Sequence, residues 1–194
     1  MKKLFLSMAL ALAAMPMFAD NKSKFEVNVG IGMSSVVGSD MDGQGKLAFS
    51  YKVGAAYDIA ISNHFSVIPG LDIVNKPFKA KFLDGTVGRL YLQIPVFAAY
   101  KFNVGDDMKL ALKAGPYMSY GIVGGDIEWE GGTSNNIFDS DDNFRRFDAG
   151  VIAGVSFEMD VVSISLQYSR GLTKLNEDFS AYNQGFGVTV GYRF

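Results

Sequence analysis

Residues 185–194, at the carboxyl end of the chain, read Gly-Phe-Gly-Val-Thr-Val-Gly-Tyr-Arg-Phe. Apolar or aromatic residues alternate strictly with small or charged ones throughout this stretch. Because successive side chains of a β-strand point to opposite faces, one face of such a strand is apolar and the other is small or polar. The apolar face carries Phe186, Val188, Val190, Tyr192 and Phe194. The pattern predicts a strand whose two faces meet very different surroundings.

Seven further segments upstream repeat this period of two. They lie near residues 24–34, 47–61, 65–74, 89–101, 108–123, 146–159 and 161–171, and the closing segment spans 183–194. In the clearest of them, apolar residues occupy every second position from Leu47 to Ile61. An α-helix would repeat its apolar positions about every 3.6 residues, so this run favours a strand. Pro69 predicts a sheet edge or a bulge in the third segment, since proline has no N–H to donate to a ladder.

The connections between these segments alternate in length. Short ones lie near residues 62–64, 103–107 and 160, and long ones lie near 35–46, 75–88, 124–145 and 172–182. Bacterial outer-membrane barrels have an even number of antiparallel strands, short periplasmic turns and long external loops. Hydrophobic residues make up 48% of the chain, yet no apolar run after residue 20 reaches the ~20 residues of a membrane-spanning helix. The sequence therefore predicts an all-β fold, an eight-stranded antiparallel up-and-down transmembrane β-barrel.

Aromatic residues mark both ends of the predicted strands. Near the short turns lie Phe25, Phe65, Tyr100, Phe157, Tyr192 and Phe194, and towards the long loops lie Phe49, Tyr51, Tyr120, Phe147, Tyr168 and Phe186. Two such rings are typical of the aromatic girdles that bracket the apolar band of a transmembrane barrel.

The first nineteen residues have the organisation of a secretory signal peptide. Lys2 and Lys3 precede an apolar run over residues 4–14, and Ala19 places a small residue just before Asp20. The run is too short to span a bilayer, and the alternative is a buried N-terminal helix of the mature fold. Cleavage after Ala19 would leave residues 20–194 as a single barrel domain.

Composition excludes several classes of protein. The chain has no Cys, which rules out disulfides and Cys-ligated metals. Its formal net charge of −2 shows no basic excess of the kind that binds nucleic acid. The stability of an exported protein without disulfides must come from burial and hydrogen bonding, and a closed barrel provides both because every strand is paired on its two edges.

Four stretches carry a family resemblance. They are residues 89–96, 113–117, 146–150 and the closing Gly-Tyr-Arg-Phe of 191–194. With them the chain resembles the small outer-membrane β-barrels of the Bacteroidota, of the "porin family" or outer-membrane β-barrel domain type. The resemblance covers essentially the whole mature chain and implies export to the bacterial outer membrane. It also implies that the alternating segment ending in Phe194 is an assembly signal read by the barrel-assembly machinery, and the family name suggests a pore.

Charged residues of the predicted strands fall almost entirely on the face of small residues. On the lipid face a charge would cost roughly 2–4 kcal/mol near the midplane, whereas inside the barrel opposite charges can pair. We therefore expect an interior charge network of Lys52, Asp58, Asp72, Arg89, Gln93, Lys109, Lys113, Arg146, Asp148, Glu158 and Arg193. Because side chains just fill an eight-stranded barrel, a structural ion-pair core is favoured over a gated conduit.

Candidates for chemistry are weak. His64, the single His, lies in a predicted short turn, so a solvated turn residue is favoured over a general base. Residues 139–143 resemble a calcium loop but lack its Gly and distal Glu, so a solvated acidic loop is favoured over a metal site. The cations Lys76, Lys79 and Lys81 in a long loop could meet the phosphates of lipopolysaccharide, although loop solubility explains them more simply. We expect no catalytic residue, metal or cofactor.

The pattern favours a structural or interaction protein that presents external loops and acts as a monomer among outer-membrane lipids and lipopolysaccharide. One alternative is a narrow channel for small solutes. A second is a soluble lipocalin-like carrier, in which the faces would be inverted, with aromatic residues inside and charges outside.

Overall fold

The computed structural model describes residues 23–38, 45–77, 79–80, 88–106, 108–124, 145–175 and 180–194. These residues form ten β-strands, and among them no helix is long and apolar enough to cross a bilayer. The strands are β1 (Lys24–Val37), β2 (Gly45–Lys46), β3 (Ala48–Ala60), β4 (Phe65–Asn75), β5 (Lys79–Ala80), β6 (Arg89–Asn103), β7 (Met108–Gly124), β8 (Phe147–Met159), β9 (Val162–Gly171) and β10 (Tyr182–Arg193).

Eight of these strands close into a barrel in the ring order β1-β10-β9-β8-β7-β6-β4-β3, and β3 returns to pair with β1. Every pair in the ring is antiparallel, and each barrel strand lies beside the next one in the chain. The predicted eight-stranded antiparallel up-and-down barrel is therefore confirmed.

The first and last strands close the ring along an unbroken ladder. Their register runs from Glu26 opposite Arg193 to Val37 opposite Tyr182. The ladder extends to the end of the chain, where the backbone N–H of Phe194 donates to the carbonyl of Phe25 at 2.8 Å. The last residues of the chain therefore belong to the barrel wall.

The small strands β2 and β5 lie within two of the connections predicted as loops. They pair with each other, with Gly45 opposite Ala80 and Lys46 opposite Lys79. A ladder of two residues is too short to leave a period in the sequence, so the pairing could not be read from it.

Pro69 does not mark a sheet edge, because the barrel is closed and β4 has neighbours on both sides. It pairs with Val96 of β6, while the ladder to β3 passes directly from Gly70 to Val67 and then continues in the same register. The missing N–H is accommodated by this local gap. Neither the predicted edge nor a bulge is needed.

The two faces of the wall are those of a membrane barrel. Phe49 is 60% exposed and Val151 and Val190 are each 47% exposed on the outside, whereas Asp148 is 0% and Arg193 8% exposed inside. The soluble lipocalin-like alternative required the opposite arrangement and is wrong. Inside the barrel, Ile68, Phe97, Ala99, Tyr117 and Ile152 form an apolar patch. Lys52, Asp72 and Lys113 line the same small cavity as Ile68 and Phe97, and two larger charged groups lie towards the two ends of the lumen.

Candidate functional site

Among the charged side chains in the interior towards the short turns, we call Asp58, Lys101, Glu158 and Arg193 the closure cluster. Glu26 lies at its edge, with its Oε2 4.0 Å from Arg193 Nε. Arg193 Nη2 donates to Asp58 Oδ2 at 2.8 Å, and its Nη1 lies 3.0 Å from Glu158 Oε2. Lys101 also donates to Asp58 and lies 3.1 Å from the same Glu158 oxygen. All four residues are buried, and they belong to β3, β6, β8 and β10. Two cations and two carboxylates thus join four strands across the lumen.

The interior towards the long loops holds a second group, the rim cluster, which is built around Asp148. The carboxylate accepts hydrogen bonds from Lys76 Nζ at 2.9 Å, Asn183 Nδ2 at 2.9 Å, Tyr117 Oη at 3.1 Å and Thr173 Oγ1 at 3.1 Å. Asp148 can be ionised and fully buried because these donors replace water around it. The cluster ties β7, β8, β10 and the segments that follow β4 and β9 to one another.

Cationic side chains near the rim cluster also pack on aromatic rings. Lys76 Nζ lies 4.2 Å from the centroid of the Tyr117 ring and 5.2 Å from that of Tyr91. Arg89 donates to Asn183 Oδ1 at 2.8 Å and to the Tyr91 hydroxyl at 3.3 Å. These contacts fill the lumen at this level with side chains that hold one another in place.

The remaining predicted lumen residues form separate pairs, so the charges do not make one continuous network. Lys52 lies 3.3 Å from Asp72, and Lys113 donates to Ser165 Oγ at 3.2 Å. Arg146 precedes β8 and donates to the carbonyl of Gly121, at 3.4 Å. The side chain of Lys109 is exposed near the short turn, so it does not join the interior group.

Lys76 corrects a sequence-based expectation. The sequence pattern places it in a solvated loop facing lipopolysaccharide, but its side chain is buried against Asp148. The backbone N–H of Lys76 donates to the carbonyl of Arg89 at 2.8 Å, so the ladder of β4 continues one residue further and turns this side chain inwards. The side chain of Lys79 and the whole of Lys81 lie outside the described residues.

Lys101 is an interior residue that the sequence-based network omits, although the alternation of β6 contains the signal. Arg89, Gln93 and Phe97 share the inward face, and counting on in twos from Phe97 reaches Lys101. The inward choice is physically favoured because Asp58 and Glu158 lie across the lumen to receive its charge.

The predicted assembly residues Phe186, Val188, Val190, Tyr192 and Phe194 all lie on the exposed outer face. The Phe194 ring centroid lies 4.9 Å from that of Tyr192 and 6.1 Å from that of Phe25.

His64 is exposed in the turn between β3 and β4 and stacks on Tyr100. The candidate calcium loop 139–143 and the predicted signal peptide 1–19 lie outside the described residues.

Small cavities lie inside the described part of the barrel, and two of them border the charged side chains. The larger, about 80 Å³, is bordered by Lys52, Gln93, Gln167 and Asn183, and the smaller, about 30 Å³, lies beside the closure cluster. Such volumes hold a few water molecules. Polar and apolar side chains line both cavities, and the polar ones offer donors and acceptors to bound water.

A closed barrel with an apolar aromatic outside and a charged, filled inside defines an integral β-barrel protein of the bacterial outer membrane. The chain belongs to the outer membrane protein beta-barrel domain family, whose model matches residues 4–194. No curated protein matches the sequence.

Solved structures share this fold. The outer membrane enzyme PagL is 13% identical with a TM-score of 0.55, covering 86% of this chain and 97% of its own. Neisserial surface protein A is 16% identical with a TM-score of 0.53, covering 88% and 97%. A major outer membrane protein from Thermus thermophilus is 11% identical with a TM-score of 0.51, covering 90% and 100%. At these identities the likeness concerns the fold alone.

Proposed function

We propose that this protein is a non-conducting, non-catalytic barrel with a structural and interactive role, and that its four long connections form the interaction surface outside the cell. The observation that carries the proposal is the filled lumen. The closure cluster and the rim cluster fill the lumen towards its two ends, and the Lys52–Asp72 pair lies inside the barrel as well, so an ion would have to displace several sets of paired charges.

The energetics support a closed lumen. Each charge of the two clusters is buried, and separating a buried pair leaves an uncompensated charge at a cost of about 3–5 kcal/mol. A conducting path through the described residues would have to separate several such pairs. A static interior is therefore favoured.

A narrow channel for small solutes is the rival. Its supporting observation is the larger cavity, which is bordered by the polar side chains of Lys52, Gln93 and Gln167 in the lumen. Opening would require the closure cluster to rearrange, because that cluster lies between the cavity and the short-turn end.

Planar-bilayer recording of the purified protein separates the two proposals. We expect no steady single-channel openings from the wild-type chain. The variant Arg193→Ala removes a side chain from the closure cluster and serves as a test of whether that cluster seals the lumen. Steady openings of the wild-type protein, with an ion selectivity that reverses in Lys52→Glu, would refute the closed barrel and establish the channel.

The absence of catalysis is also part of the proposal. PagL is an outer membrane enzyme, but its likeness to this chain concerns the fold. The single His of this chain, His64, stacks on Tyr100 at the short-turn end, far from the external leaflet. Mass spectrometry of lipid A from cells with and without the protein tests this directly, and a protein-dependent change in acyl chains would contradict it.

We further infer export through residues 1–19, recognition of the segment ending in Phe194 by the barrel-assembly machinery, and a monomeric state among outer-membrane lipids and lipopolysaccharide. The apolar outer face of β10 supports the second inference, because its aromatic and aliphatic side chains stay exposed and available for contact with a partner.

A further inference from the structure

The charged residues of the barrel strands take lumen-facing positions in the alternation, with one exception among the described residues. Within the described residues of the eight barrel strands, Arg170 is the charged residue whose position in the alternation faces outwards. Its two register partners, Val151 of β8 and Gln184 of β10, lie on the same outward face. A charge on this face is costly in the middle of the bilayer and tolerated near its interface, so Arg170 needs an explanation from its surroundings.

Arg170 lies just above an aromatic row. Two residues earlier on β9 is Tyr168, whose partner on β10 is Phe186, and each of these rings is 46% exposed. β9 ends at Gly171, one residue after Arg170, where a long connection begins. Aromatic girdles lie at the level of the lipid headgroups, which places the guanidinium in the headgroup region of the external leaflet.

Neighbouring side chains hold the guanidinium in place. Arg170 Nη1 donates to Gln184 Oε1 at 3.0 Å, and the hydroxyl of Tyr168 donates to the same oxygen at 3.2 Å. The Arg170 Cζ atom lies 6.0 Å from the centroid of the Tyr182 ring. Among the described residues, no carboxylate forms an ion pair with Arg170, and its contacts there are with the neutral side chains of Gln184 and Tyr182.

We propose that Arg170, oriented by Gln184 and Tyr182, binds the phosphate group of a lipid in the external leaflet. A guanidinium presents a planar fork of N–H donors that matches phosphate oxygens in pairs, and Gln184 occupies only one of them. The lipid is the source of the phosphate because the acyl chains can lie along Tyr168, Phe186 and the apolar wall below. This site is separate from the connection 75–88, whose Lys76 is turned into the lumen.

Native mass spectrometry of the full chain in detergent micelles tests the proposal, with three probes: diphosphorylated lipid A, the same lipid with its phosphates removed, and inorganic phosphate. We expect the wild-type protein to bind the diphosphorylated lipid more tightly than the dephosphorylated one. Arg170→Gln should weaken that binding about tenfold, the effect of one lost charge-assisted contact. Arg170→Lys should fall between the two, because it keeps the charge and loses the fork.

The matched control is Lys24→Gln. Lys24 is a partly exposed cation at the opposite end of the barrel, 3.1 Å from Asp160, and its loss should leave lipid binding unchanged. Three results would each overturn the proposed lipid site. They are an unchanged lipid affinity in Arg170→Gln, an equal loss of affinity in Lys24→Gln, and equal binding of the two lipids by the wild-type protein. If inorganic phosphate binds with the same dependence on Arg170, the ligand of this site is free phosphate and not a lipid. The comparison of the two lipids needs only wild-type protein and remains decisive if a variant fails to fold.

Discussion

Arg193 and Asp58 are separated by 135 residues in the chain, and their side chains meet inside the barrel at 2.8 Å. Arg193 lies on the last strand and Asp58 on the second strand of the ring, with β1 between them on the wall. The ion pair can therefore form only when β1 and β10 have closed the barrel. It reports closure and stabilises the closed state.

Replacing Arg193 by Gln should lower the free energy of unfolding by about 3 kcal/mol, because Asp58 and Glu158 remain buried with Lys101 as their main counter-charge. Since the contact forms late, the unfolding rate should rise more than the folding rate falls. Urea-dependent folding and unfolding kinetics in micelles measure both. A folding rate that carries most of the change would mean that the barrel closes before the rate-limiting step of folding.

Replacing Asp148 by Asn should cost about 3–5 kcal/mol, since the ammonium of Lys76 would lose its buried counter-charge. The double variant Lys76→Met with Asp148→Asn should recover much of this loss, because no unpaired charge then remains. Equilibrium urea unfolding followed by circular dichroism measures the three values.

The control for Asp148 is Asp160→Asn, which removes the carboxylate of the Lys24 pair. Asp160 is 74% exposed, so this variant should change stability by less than about 1 kcal/mol. Two results would contradict this account: equal losses of stability in Asp148→Asn and Asp160→Asn, or no recovery in the double variant. Either would show that the contribution of the Lys76–Asp148 pair to the free energy of unfolding does not depend on its burial.

Gly115 and Gly88 form a matched pair for testing how closely the neighbouring strand approaches Gly115 in the barrel wall. A Cβ on Gly115 would collide with the carbonyl oxygen of Val96 on the neighbouring strand, a backbone atom that cannot rotate away. Gly115→Ala should therefore cost about 1–3 kcal/mol. Nothing lies within 4 Å of the corresponding atom at Gly88, so Gly88→Ala should stay within about 0.5 kcal/mol of the wild type. Thermal unfolding measured by gel mobility ranks the two, and an equal shift would contradict the close approach at Gly115.

Phe194 and Phe102 separate the proposed assembly signal from ordinary girdle packing. Both rings are exposed at the short-turn end, and each has a Tyr ring at 4.9 Å in an edge-on arrangement. Replacement by Ala should cost each protein a similar amount of stability, about 1 kcal/mol. Only Phe194→Ala should reduce the amount of folded barrel that reaches the outer membrane in cells. Equal yields of the two variants would remove the special role of the terminal residue.

Some interior residues can be predicted because their strands have long, regular alternation. Asp72, Asp148 and Arg193 follow directly from the apolar residues beside them. The sequence pattern assigns Lys76 to a loop because the apolar residues stop at Val74, and only the bond to Arg89 carries the strand past that point. The sequence pattern assigns Pro69 to a sheet edge or a bulge. In the closed barrel it lies instead beside a short gap in the β3–β4 ladder, and no local pattern in the sequence indicates that gap.

The alternation alone determined the eight barrel strands and which residues share a face, because a strand turns every second side chain to the same side whatever its neighbours are. Only the tertiary structure decided which charges meet. Barrel closure brings Asp58 to Arg193 and Lys76 to Asp148, and it leaves Arg170 outside beside Gln184. Register and strand tilt set these distances, and both depend on how all eight strands fit together in the ring.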